Sequence, residues 1–161
     1  MRSIECVLAL WQLGWLNTEA VVAWADEEIL QAEVASPELM DLSLDGPTRC
    51  LMRTEFEFPA RPAVLSYAQE FALRAVLTPP ASDAAVLELA NWMARRVMGE
   101  DLDLPEVALA YRVDHLLDDC GDAVAAVALV RSELPELEPR CKQLAEPFLK
   151  FVSPAEHPLN R

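Results

Sequence analysis

The chain has 161 residues, 53% of them hydrophobic and 25% charged, with 27 acidic against 13 basic side chains and a net charge of −14. At this length one hydrophobic core removes roughly 70% of the unfolded chain's surface from water, so neither disulfides nor a structural metal is required for folding, and the mean hydropathy of +0.13 is too high for a disordered chain. The excess negative charge repels phosphates and anionic headgroups, which argues against a nucleic-acid surface and against a polybasic membrane anchor.

Arg2, the apolar run Cys6 to Leu10 and the later Ala23-Trp24-Ala25 imitate a secretory signal with a cleavage site. Glu5 interrupts the basic start, however, and Gln12, Asn17, Thr18 and Glu19 divide the apolar stretch into short pieces. No stretch approaches the roughly 18 uninterrupted apolar residues of a membrane span, so a cytoplasmic protein is expected. Cys6, Cys50, Cys120 and Cys141 lie far apart with no C-x-x-C pair; their apolar helical contexts predict reduced, buried thiols.

The punctuation predicts an all-α fold. Gly14, Gly99 and Gly121 follow apolar-periodic segments, where a helix C-terminus favours a residue without Cβ. Pro37 after Ser36, Pro47 after Gly46, Pro62, Pro105 and Pro135 stand where helices begin. These marks cut the chain into seven or eight helices with short connections, a single irregular bundle over 1–152 followed by a frayed tail over 153–161.

In chain order, Val22, Ala25, Ile29 and Ala32 form an apolar stripe whose wet side carries Asp26, Glu27, Glu28 and Glu33. Glu55-Phe56-Glu57-Phe58-Pro59 alternates with period two and predicts a short extended linker near 54–60, laid against the bundle by its two phenylalanines. Val64 to Leu77 is apolar nearly all round and reads as a buried helix, with Glu70 and Arg74 an i,i+4 pair at its solvent edge. Ser82 is a cap for a helix striped by Val86, Ala90, Met93 and Val97. Leu109, Val113, Leu116 or Leu117, and Cys120 form the next stripe. The all-apolar stretch Ala123 to Val130 reads as buried, and Leu137, Cys141, Leu144, Phe148 and Phe151 make the last stripe, kinked or broken where Pro147 meets the carbonyl of Gln143.

The densest polar cluster runs from Asp114 to Asp122. Carboxylates are electrostatically misplaced at a helix C-terminus, by about 0.3–1 kcal/mol each. One reading is a divalent-cation site with Asp114 and Asp118 as oxygen ligands and His115 as a nitrogen ligand; the other is that Asp122 caps the helix starting at Ala123 and the rest is solvated. Asp118 to Asp122 also fits the bare pattern D-D-x-x-D that holds magnesium in larger helical prenyl-diphosphate enzymes, but it is interrupted by a helix-stop glycine. Glu133 and Glu136 match E-x-x-E yet flank Pro135. On a regular helix His115 and Cys120 stand about 140° apart and do not touch. There is no G-x-S-x-G and no phosphate loop, and Trp11, Trp15, Trp24 and Trp92 read as core or hairpin contacts rather than a ligand pocket.

With no catalytic constellation in view, charge and scaffold point to a protein-binding module. Asp26, Glu27, Asp118 and Asp119 are its candidate contacts with a basic protein partner, as in an immunity- or antitoxin-type inhibitor covering a cationic active site. The alternatives are a metal-dependent hydrolase or small-molecule binder using the Asp114–Asp122 cluster, and a structural subunit of a homodimer. No resident cofactor is expected beyond that candidate cation.

Overall fold

The computed structural model describes residues 2–79 and 81–152. Among them are seven α-helices and no strand: α1 Ser3–Gln12, α2 Thr18–Gln31, α3 Pro37–Met52, α4 Tyr67–Leu77, α5 Asp83–Arg96, α6 Pro105–Asp114 and α7 Ala123–Leu149, with a π-helical turn at His115–Asp119 between the last two. The expected frayed tail lies outside the described residues, and no helix of the described chain is long and apolar enough to cross a membrane. Two compact units emerge, residues up to Val64 with Lys150, Phe151 and Val152, and Leu65–Leu149.

In the first unit α1 is apolar on most of its circumference and buries Ile4 and Cys6 to Leu10. Its end is marked by Gly14 at φ 80°. Helix α2 starts where the Asn17 side chain accepts the Ala20 N–H at 2.7 Å, and α3 where Ser36 accepts from Leu39 ahead of Pro37. The two pack as a helical hairpin. The buried stripe of α2 consists of Val21 and Ala25, while Ala32 is exposed. At Gly46 the backbone leaves helical geometry, φ 72° and ψ 167°, and Pro47 restarts the helix. The linker opens with a tight turn in which Phe58 N–H reaches the Thr54 carbonyl at 2.9 Å. Only Phe58 enters the core; Phe56 is fully exposed, because the turn points successive side chains apart. Farther on, Ala63 N–H donates to the Glu5 carbonyl at 3.0 Å and ties the linker to α1.

The second unit begins later than Pro62 suggests. Ser66 caps α4, with Gln69 returning to the Ser66 N–H at 3.0 Å, and Val64 is left exposed. Ser82 caps α5 as expected, and Val86, Ala90, Met93 and Val97 are all buried. Helix α7 is continuous through Pro135, Pro139 and Pro147, so no helix begins at Pro135 and none breaks at Pro147. Each proline lacks the N–H that would donate to the carbonyl one turn back. All three prolines are exposed, on the side of α7 where water can replace a missing hydrogen bond, and the helix continues. Its first turns are not buried all round either: Ala126 and Val130 face the core, whereas Val124 and Ala128 face solvent.

Candidate functional site

The Asp114–Asp122 cluster takes its shape from the π-helical turn. The Cys120 N–H bonds to the His115 carbonyl five residues back at 3.1 Å, and the Asp122 N–H returns to the Leu116 carbonyl at 2.8 Å. Gly121, at φ 64°, provides the left-handed step that ends the turn. One extra residue per turn rotates the side chains out of α-helical register. Instead of standing far apart, Cys120 Sγ lies 3.7 Å from His115 Nε2. On the other side of the ring, His115 Nδ1 is 2.7 Å from Asp119 Oδ2. His115, Asp119 and Cys120 are all exposed, so Cys120 is not the buried thiol its stripe suggests.

The remaining members of the cluster do not converge. Asp122 caps α7 by accepting the Ala125 N–H at 2.9 Å, and His115 pairs with Asp119 rather than with Asp114 or Asp118. Among the described residues, no group of three or more His, Cys, Asp or Glu side chains is placed to hold a metal ion.

The other candidates, Asp26 and Glu27, stand on the exposed side of α2. Asp26 accepts a hydrogen bond from Ser43 of α3, and a Cβ on Gly46 would meet Thr18 and Val22. The hairpin is therefore antiparallel. One turn beyond Asp26 and one turn before Ser43 are Leu30 and Met40, both exposed, with Leu44 another turn along α3 from Met40. Leu30 is 85%, Val34 87% and Leu44 81% exposed. Of the carboxylates beside them, Glu27, Glu28 and Glu33 form no ion pair with any described residue, in contrast to Asp41 and Asp45 of α3, which hold Arg53.

Two carboxylates, Glu70 and Glu106, are buried, which the sequence does not announce. Glu70 is buried, not at a solvent edge. One of its oxygens accepts from Arg74 at 2.8 Å and from the Trp92 indole N–H at 3.0 Å. Arg74 also lies 4.8 Å over the Trp92 ring, which stacks on Tyr67 at 5.2 Å. Glu106, in the first turn of α6, is buried and receives both Nε and Nη2 of Arg140 at 3.0 Å. Both carboxylates have their oxygens engaged by arginine, as buried charges must. The signal in the sequence for Glu70 was a lone carboxylate inside an otherwise apolar helix. For Glu106 there was none, since its arginine is 34 residues away.

A groove of about 310 Å³ between α4, α5 and α7 is lined mainly by apolar atoms from Ala75, Val76, Val86, Val130 and Leu134. Cys141 lies in its wall, where burial first and Glu106 second push the thiol up to about 11, so it is not a nucleophile near neutral pH. The chain matches no protein-family model, no curated protein and no solved structure.

Proposed function

We propose that this protein acts by protein–protein interaction, docking a cationic amphipathic helix of a partner on the α2–α3 hairpin. The observation that carries the reading is the set of exposed apolar side chains Leu30, Val34, Met40 and Leu44 beside the carboxylates Asp26, Glu27 and Glu33. Apolar surface grouped this way gains from being covered. A rim of carboxylates selects what covers it, attracting lysine and arginine and repelling acidic competitors. An amphipathic helix meets both demands, with i,i+3,i+4 anchors on the apolar stripe and basic residues on the rim. Inhibition of a basic enzyme by covering its cationic site is one form of this activity. Asp118 and Asp119 contribute, in this reading, to long-range steering by the −14 charge.

Calorimetric titration with a designed helical peptide of leucine and lysine tests it. Leu30→Ser and the pair Asp26→Asn with Glu27→Gln should each weaken binding by roughly tenfold, about 1.4 kcal/mol. Raising sodium chloride from about 50 to about 500 mM should weaken the wild type but affect the carboxylate variant much less. Binding that ignores both variants would sink the proposal. So would sedimentation as a dimer that Leu30→Ser dissociates, because the occupant would then be a second copy.

A further inference from the structure

We infer that Cys120 is a reactive thiol, activated by His115 and used for exchange with small disulfides. Three features carry this, and none is the cysteine alone. The π-helical turn sets Cys120 Sγ 3.7 Å from His115 Nε2. Asp119 engages the far ring nitrogen at 2.7 Å, so the Nδ1 proton is directed at the carboxylate and Nε2 presents its lone pair to the thiol. Finally, Cys120 is exposed, whereas Cys6, Cys50 and Cys141 are buried. Nucleophile, base and orienting carboxylate thus stand in the order that activates a weak nucleophile, on a π-helical turn, a distortion often found at functional sites.

The step conserves atoms and electrons. The Cys120 proton passes to His115 Nε2, and the thiolate attacks one sulfur of a low-molecular-weight disulfide. The S–S bond of the reagent breaks as the new one forms, and the departing sulfur takes the proton from His115 and leaves as a free thiol. Cys120 is oxidised to a mixed disulfide while the reagent is reduced. With the other cysteines buried, no second thiol of this chain resolves the adduct, so it persists until an external thiol removes it. Asp114, Asp118 and Asp122 surround the turn with negative charge and favour a cationic disulfide over an anionic one. Cys120 is the nucleophile, His115 the base and Asp119 a positioning residue.

Intact-mass kinetics with cystamine, a cationic disulfide, test the assignment. Wild type should gain one half-cystamine, lost in Cys120→Ser, and His115→Gln should react roughly a hundredfold more slowly, at the low end for a positioned base. Added imidazole should restore His115→Gly, which a structural role for the ring would not allow. Asp119→Asn should slow the reaction severalfold and change the His115 tautomer seen by nitrogen-15 NMR. Far-UV circular dichroism checks that each variant keeps its helices. Equal rates for wild type and a folded His115→Gln, no rescue by imidazole, or labelling at another cysteine would each overturn the proposal.

Discussion

The Tyr67 hydroxyl is buried without a hydrogen-bond partner among the described residues, although its ring stacks on both Trp92 and Phe71. Burial, followed by the nearby carboxylates Glu100, Glu106 and Glu70, pushes the phenol's titration up. A buried hydroxyl with no partner has lost its water for nothing in return. Tyr67→Phe keeps the stacking and deletes the unsatisfied atom, so it should leave stability unchanged or raise it by up to about 1 kcal/mol, read from the urea midpoint. A loss of more than that would reveal a bond to the hydroxyl. At this scale the sequence was legible where a residue acts on its own backbone: Ser36, Ser82 and Asp122 cap the helices their positions announced. It was illegible where the partner comes from another helix, as with Arg140 on Glu106 and Trp92 on Glu70.

Gly46 shows how one residue shapes an element. Its ψ of 167° at φ 72° belongs to a region that only glycine enters without strain, and there α3 breaks before Pro47 restarts it. A Cβ there would meet Thr18 and Val22 at 3.5 and 3.9 Å, ordinary contact distances. The penalty for Gly46→Ala is therefore conformational, about 2 kcal/mol, and should appear as a lower urea midpoint with an unchanged slope. The glycine and proline at 46–47 announced this restart, but prolines misled elsewhere. Pro62 opens no helix and Pro135 lies inside α7, because a proline tolerates either a helix start or an exposed interior where water replaces its missing bond. The π-helical turn was hidden for a related reason. A single wide turn of five residues is too short for its phase shift to be read from apolar periodicity, yet it decides that His115 meets Cys120 and that Asp114 and Asp118 do not join it.

The whole molecule adds effects that no element has alone. Cys6, Cys50 and Cys141 are buried in two units, and desolvation raises the titration of each, Cys141 to about 11. The folded chain thus holds protons that the unfolded chain releases near 8.5. Their contribution is complete below that pH and is lost as pH rises through the raised titrations, for Cys141 toward about 11, so the urea midpoint should fall above about 8.5. Cys141→Ala should flatten the fall, and an equal fall in that variant would refute the argument. Composition, turn residues and the 3.6-residue period by themselves determined the helical class, most helix starts and the anionic surface, since all of these depend on neighbours in the chain. Tertiary structure alone decided which carboxylates are buried against arginine, which apolar side chains of the α2–α3 hairpin stay in water, and which ring nitrogen faces a thiol. Those outcomes depend on how helices pack and on the pitch of a single turn, and neither is encoded in local periodicity.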